Sequence, residues 1–407
     1  MKSTFNYTLL LGFFLFHSVV AFSCTTIIIS GKATKDGRPL MWKNSDTEIP
    51  AHSLIYSDDK GFPLLAVIRN TSTNDKTASA WMGTNSEGFS IMNTLSYNLT
   101  ENRESSRNGS VMRKALEICK TVSDFQHLLD TLSQPTKVRA NFGVIDAEGN
   151  AAYFEAFTDG YRMLDVNDPA VAPNGYLIYT NFSYTGFYDK GEGYIRYQNA
   201  QHQVAKQLPS KDFSPQWIFN HLARSYYHSL LDIDFTSEEA LNLFKNGYIH
   251  DSDMIPRKST ASATVVQGVK KGENPELTTI WVALGYPPCS VAIPAWVKAG
   301  KDNPSLLMRQ PGEPASKISA MVADLKENLY DVQRGHGQEY LHFSKVFNKE
   351  GSGYMQQLAP VEKAVFETVN PAIDKWRKEG HVNPKEIKSL GKSVCSLIEN
   401  AWPKNTK

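Results

Sequence analysis

The amino-acid sequence predicts an α+β fold in which two antiparallel sheets pack between helical layers, with a helical extension at the C-terminal end. Short apolar or alternating runs separated by turn formers fall into three groups, at residues 25–95, 141–180 and 263–284, as strands joined by tight turns do. Blocks with helical spacing lie between those groups. Beyond Asn303 the composition becomes charged and helix-like. The order sheet, helices, sheet, helices, sheet is that of sheets stacked face to face and covered by helices.

The first group opens with runs at 25–29 and 40–42, separated by Thr34-Lys35-Asp36-Gly37, and continues at 53–56, 64–68, 78–82 and 89–95, the last preceded by Asn85-Ser86-Glu87-Gly88. Asn, Asp and Gly tolerate the backbone angles of tight turns, so these segments predict hairpins from residue 24 onward. Helices are predicted at 110–120 and 123–133, each opening on a serine able to cap it, and Pro135 stops the second. Strands resume at 141–145, cross the turn Asp146-Ala147-Glu148-Gly149, and continue at 151–157 and 176–180. Residues 192–208 and 215–231 have helical spacing, and 263–269 with 278–284 reads as a hairpin of buried strands. In the tail, 315–330, 361–380 and 384–402 are candidate helices, read together as a cap or appendage. No internal repeat is evident.

Composition narrows the function. With 41% hydrophobic and 11% aromatic residues among 407, the chain can bury one large core or two smaller ones. Its 43 basic residues nearly cancel its 42 acidic ones, and no Lys/Arg run carries interleaved aromatics, so no nucleic-acid partner is expected. The four cysteines, Cys24, Cys119, Cys289 and Cys395, are widely spaced without a CxxC, which argues against a zinc site and a dense disulfide framework.

Residues 1–23 read as a signal peptide. Lys2 supplies a weak positive start, residues 9–16 an apolar core, and Ala21 and Ser23 the small residues at minus three and minus one of a cut before Cys24. A membrane anchor fits less well, because His17 and Ser18 interrupt an apolar run that is short for a span. The expected location is therefore periplasmic or extracellular, with no membrane span in the mature chain. A lipoprotein, with Cys24 acylated, is the rival; Ala21 stands where such a signal prefers an aliphatic residue such as Leu.

Cleavage before Cys24 would give one residue both a thiol and a free α-amine. That amine has an unperturbed pKa of about 7.7 to 8.0, close enough to neutrality to serve as general base without a histidine. An isolated cysteine is more often a small buried apolar residue. Here it has company: Cys24-Thr25-Thr26 enters a strand, Asp36-Gly37 turns the chain, and Lys43-Asn44-Ser45-Asp46 ends the partner strand. A hairpin of this length returns Lys43 and Asp46 to the Cys24 end, where Asp46 could hold the amine and Lys43 could favour the thiolate. The plainer alternative is a surface turn with an ordinary ion pair.

These segments resemble the choloylglycine hydrolase and penicillin V acylase group and its related isopenicillin-type acyltransferases, over about residues 24–296. The family pattern is Cys-Thr, then Asp-Gly, then Arg-Asn-x-Asp, matched by Cys24-Thr25, Asp36-Gly37 and Asn44-x-Asp46. Lys43 stands where Arg is usual, keeping the charge but losing the planar fork. The resemblance implies an N-terminal-nucleophile hydrolase with a four-layer αββα sandwich, a catalytic domain at 24–302 and the helical extension at 303–407. Gly83-Thr84-Asn85-Ser86-Glu87-Gly88 is similar to a family hairpin whose following strand delivers Asn93, a position that helps line the oxyanion hole. Tyr179-Thr180-Asn181-Phe182 is similar to the Thr-Asn segment whose Asn donates to the oxyanion, and Arg257 falls where a second site arginine is placed. Each also has a plainer reading: Asn181 as a turn cap, Asn93 as a strand residue bonded to backbone, Arg257 as a structural ion-pair residue.

The implied reaction is amide hydrolysis through a thioester on Cys24, on a small-molecule amide substrate. Neither a Walker loop nor a GxGxxG follows any strand, and His127, His202, His221 and His250 show no HExxH, HxxEH or HxH spacing; no cofactor and no metal are expected. A dipeptidase, an acyltransferase, or a lipid-anchored binding protein without turnover are the alternatives. Tyr97, Phe182, Tyr184, Phe187 and Tyr188 would suit an apolar acyl group or fill a core, and a homo-oligomer is compatible with the sequence.

Overall fold

Turn residues and buried alternation place most of the strands in two large sheets. A computed structural model of the protein describes residues 23–70, 75, 77–101, 105–310, 312–333 and 339–403. The expected signal peptide lies outside them, apart from Ser23. The chain runs β1 (Cys24–Ile29), β2 (Leu40–Asp46), β3 (His52–Ser57), β4 (Leu64–Arg69), β5 (Met82–Asn85), β6 (Ser90–Leu95), α1 (Asn108–Ile118), α2 (Val122–Asp130), β7 (Ala140–Ile145), β8 (Ala151–Phe157), β9 (Gly160–Asp165), β10 (Tyr176–Tyr179) and α3 (Tyr194–Gln207).

Strands β3 to β9 form a seven-stranded sheet in chain order, each antiparallel to the next. Its period-two pattern divides two cores. Leu64, Ala66 and Ile68 pack beneath α1 and α2 with Val111, Met112 and Phe125, whereas Leu65 and Val67 join the larger core shared with the other sheet. Phe125 meets Phe142 and Phe154 edge-on, at 5.6 and 5.2 Å between centroids. Helix α2 begins at Thr121, whose side chain accepts from Asp124 N while Asp124 accepts from Thr121 N. This capping box overrides Ser123 as the start.

The six-stranded sheet has the order β10, β1, β2, then strands Thr260–Gln267, Thr279–Leu284 and Ile293–Ala295, all neighbours antiparallel. Every residue of β1 and β2 is buried, because helices cover this sheet's outer face. Among them are α3 and the helix Tyr354–Glu379: Phe366 stacks on Trp281 at 4.2 Å, and Trp376 meets Trp296 edge-on at 5.2 Å. Glu362 receives a bidentate bond from Arg224 at 2.7 and 2.6 Å and also accepts from Ala292 N. Helices, two antiparallel sheets and helices thus make four layers, and the fold is the αββα sandwich. The described residues of 303–403 contribute to its outer layer and share its larger core.

The helix predicted at 215–231 stops early. Pro215–Ile218 continues as one wide turn, Phe219–Ala223, and Arg224 then leaves helical geometry to reach Glu362 and the carbonyls of Pro287 and Ser290. Tyr227–His228 instead pairs with Ile233–Asp234. The half-exposed edge strand β9 has too little apolar alternation to be read in advance.

Candidate active site

The β1–β2 hairpin fixes the geometry around Cys24. Gly37 turns the chain at a φ of 74°, and the register pairs Cys24 with Ser45, Thr25 with Asn44 and Thr26 with Lys43. Partners across an antiparallel pair share a face, so Cys24, Thr26, Lys43 and Ser45 all project from one side. That side looks at the seven-stranded sheet, since Tyr153 Oη donates to Thr26 Oγ1 at 3.1 Å. Asn44 projects to the helical side and donates to Ala223 O at 2.9 Å.

Lys43 Nζ lies between the sheets, donating to Trp81 O and Asn93 Oδ1 at 2.9 Å each. Burial pushes its pKa down to about 8, while the neighbouring Cys24 raises it and Arg69 lowers it further. Arg69 lies 3.6 Å over the Trp81 ring, and burial lowers its pKa to about 10. Because an ammonium can only donate, Asn93 must turn Oδ1 toward Lys43, which leaves its Nδ2 directed elsewhere.

On the other side of Cys24 the Ser23–Cys24 peptide is gripped. Cys24 N donates to Asn181 Oδ1 at 3.1 Å, Ser23 Oγ donates to the same oxygen at 2.6 Å, and Arg196 Nη2 donates to it at 2.9 Å. Asn181 Nδ2 donates to Leu95 O at 2.8 Å. Converging donors fix the amide orientation: the oxygen faces Cys24 and the nitrogen faces Leu95. Arg196 also donates to Cys24 O and Thr25 Oγ1 at 2.9 Å each and to Ser23 Oγ at 2.7 Å. Burial first, and Arg257 second, lower its pKa to about 9. Gly193 makes room for this guanidinium: its φ is 82°, and an added Cβ would stand 2.3 Å from Arg196 Nη2.

Asp46 closes the third side. Its backbone N donates to Ser23 O at 3.0 Å, while its fully buried carboxylate accepts from Arg257 Nε at 2.9 Å and from Thr260 Oγ1 at 2.7 Å. The six sequence-predicted residues, Cys24, Lys43, Asp46, Asn93, Asn181 and Arg257, therefore share one buried polar network or adjoin it. Asn181 presents its oxygen rather than its amide nitrogen to Cys24, and Asp46 reaches the Cys24 end through its backbone. Sequence reasoning missed Arg196 and Thr260. The signals were thin: an arginine two places after a helix start, and a threonine three residues beyond Arg257.

The remaining thiols sit apart. All four cysteines are free and buried, and burial pushes Cys119 up to about 12 and Cys289 higher still. Among the described residues no group of three His, Cys, Asp or Glu side chains could hold a metal, and no helix is long and apolar enough to cross a membrane. Of the aromatics noted in the sequence, Phe182 is buried, Tyr184 and Phe187 are part-exposed at 40% and 53%, and Tyr188 is 90% exposed.

The family model described as acyl-coenzyme A:6-aminopenicillanic acid acyl-transferase matches residues 33–240. No curated protein sequence matches the chain. Among solved structures, it is similar to an N-acylethanolamine-hydrolyzing acid amidase ortholog from Caenorhabditis elegans, at 13% identity over 60% of this chain and 92% of that one, with a TM-score of 0.38. A conjugated bile acid hydrolase mutant from Clostridium perfringens aligns at 15% identity over 64% and 89%, with a TM-score of 0.34. Penicillin V acylase from Agrobacterium tumefaciens aligns at 10% identity over 67% and 85%, with a TM-score of 0.34.

Proposed function

From the premise that this chain belongs to the acyl-coenzyme A:6-aminopenicillanic acid acyl-transferase family, within the N-terminal-nucleophile hydrolase superfamily, we propose that it is an exported hydrolase of linear N-acyl amides with Cys24 as nucleophile. The observation that carries the reading is the arrangement at the Ser23–Cys24 peptide. Cys24 begins a buried strand, its nitrogen is held by Asn181 Oδ1, and Lys43 is on the same face of the hairpin. Removal of residues 1–23 would turn that nitrogen into an amine already facing an acceptor.

In the proposed reaction Cys24 Sγ attacks the amide carbon and its proton passes to the α-amine. Lys43 stabilises the thiolate, as a nearby cation does. The oxyanion takes a donor from Asn93 Nδ2, and losing one such donor typically costs about 100- to 1000-fold; Asn181 Oδ1 meanwhile accepts from the α-amine and holds it over the thiol. As the C–N bond breaks, the α-ammonium returns its proton to the leaving amine, and a thioester remains on Cys24. Water, deprotonated by the same amine, then releases the acid. Asp46, held by Arg257 and Thr260, keeps in place the end of β2 that lies opposite Cys24.

The family description favours a second reading of the last step, in which an amine replaces water as acyl acceptor. A panel of N-acyl amides differing in acyl length and amine, incubated with the mature protein and with Cys24→Ser, tests both. Amide turnover lost in the variant supports hydrolysis, new amide formed with added amine favours transfer, and equal inertness of both proteins refutes the proposal.

A further inference from the structure

Arg257 and Thr260 reach Asp46 from a loop that residues of the C-terminal extension hold in place. The loop runs over residues 251–260 into the strand Thr260–Gln267, and its holders follow or end the helix Lys317–Glu327, beyond the family match at 33–240. Lys326 Nζ donates to the backbone oxygen of Lys258 and, at 3.4 Å, to that of Thr260. Tyr330 Oη donates to Asp251 Oδ2 at 2.6 Å, and Lys258 N donates to the same oxygen at 2.8 Å. Within the loop, Thr260 N bonds Arg257 O at 2.8 Å and Arg257 N bonds Thr260 Oγ1 at 3.0 Å. The turn that aims both side chains at Asp46 is thus clamped from behind at Lys258, Thr260 and Asp251.

A lysine near the end of an outer helix would ordinarily keep its charge in water. Lys326 is half-buried and runs inward instead, its ammonium bonded to the Lys258 and Thr260 carbonyls and 5.2 Å from the Tyr286 ring centroid. Burial lowers its pKa to about 8 even though Asp251, Cys289 and Asp46 raise it; Lys258 acts in the same direction as burial. Burying an ammonium opposes folding unless it is compensated, so a packing role alone would be met better by an apolar side chain.

We propose that Lys326 and Tyr330 are positioning residues for the nucleophile, bracing the loop through which Arg257 and Thr260 hold Asp46 and hence the end of β2, whose Ser45 lies opposite Cys24. The inference rests on the reading of Cys24 as nucleophile. A small constellation must be held to within a fraction of an ångström by its supporting groups, so loosening the brace acts on the chemical step more than on substrate affinity.

The test compares mature wild type with Lys326→Met, Lys326→Arg and Tyr330→Phe. Cys24 alkylation by iodoacetamide is followed against pH by peptide mass mapping, beside kcat and KM on a turned-over amide and thermal melting. Lys326→Met is expected to raise the pH midpoint of Cys24 alkylation by about one unit, because loosening Asp46 and the end of β2 shifts Lys43, on the same strand, away from the thiolate it stabilises. Its kcat should fall about tenfold with KM changed less than about twofold. Lys326→Arg restores both, and Tyr330→Phe, which removes one hydroxyl, shifts both less in the same direction. An unmoved midpoint with wild-type kcat, even beside a lowered melting temperature, overturns the brace and leaves the proposed reaction standing. A moved midpoint in a protein whose wild type cleaves no amide supports the brace and overturns the reaction.

Discussion

Two closed regions of this molecule are built on opposite terms. Beneath α1 and α2 the interior is apolar: Phe89, Phe125, Phe142 and Phe154 are fully buried and need only shape to fit. At the Cys24 end of the six-stranded sheet, Lys43, Asp46, Arg196 and Asn181 are buried to the same degree, at 2%, 0%, 2% and 0% exposure. The first region stabilises by removing apolar surface from water. The second gains little, because desolvating charges costs several kcal/mol before their hydrogen bonds offset it. The first is interchangeable in chemistry and fixed in volume; the second is fixed in chemistry. Substitutions should therefore separate stability from activity.

The largest effect is expected at Cys24. Cys24→Ala should lose about 10⁴-fold or more of amide turnover while its melting temperature stays close to wild type. Residual turnover within tenfold of wild type would erase the functional half of the contrast. Phe125→Ala should cost about 3–5 kcal/mol in denaturant unfolding, by opening a cavity between the two helices and the sheet. Activity per folded molecule should be preserved, since none of its ring contacts reaches the Cys24 network.

Arg196→Lys keeps the charge but loses the fork that, once Ser23 is removed, spans Cys24 O, Thr25 Oγ1 and Asn181 Oδ1. Turnover should fall about 100-fold, a deficit that added salt or higher substrate does not recover, with only a modest change in melting. Lys43 sharpens the contrast through pH. Its folded pKa, about 8, is below the ordinary 10.5. The ammonium beside Cys24 is therefore present below about pH 8 and lost above it, and activity should decline through that point on the alkaline side. In the same window the unfolded chain binds this proton more tightly, so the Lys43 contribution to stability rises with pH between about 8 and 10.5. Lys43→Arg should move the alkaline decline upward in a pH–rate profile, and Lys43→Met should melt higher than wild type at neutral pH while turning over more slowly. The smallest effect is expected at the exposed pair Lys363–Glu367, 3.7 Å apart; Lys363→Ala should change stability by less than about 0.5 kcal/mol and activity not at all.

Much of the fold was legible because the seven-stranded sheet has one face under helices and one toward its partner sheet, and strands such as β4 carry both faces in alternation. The hairpin length brought Lys43 and Asp46 to the Cys24 end without any three-dimensional information, since period two and one turn suffice. Arg196 was hidden for the opposite reason: between Tyr194 and Gln198 an arginine reads as the wet face of a helix, and only the approach of α3 to β1 turns it inward. The tail helices were visible from their spacing, but spacing gives a face and not its partner, so Trp376 on Trp296 and Lys326 behind Asp46 could not be read. The helix predicted through 231 failed where Arg224 found Glu362, a partner 138 residues away.

The central claim is that Cys24 becomes an unblocked first residue. Intact mass and N-terminal sequencing of the protein recovered from outside the cytoplasm of a native-like host test it most directly. The account predicts a chain beginning with unmodified Cys24; a chain beginning at Met1, or one carrying lipid on Cys24, would contradict it.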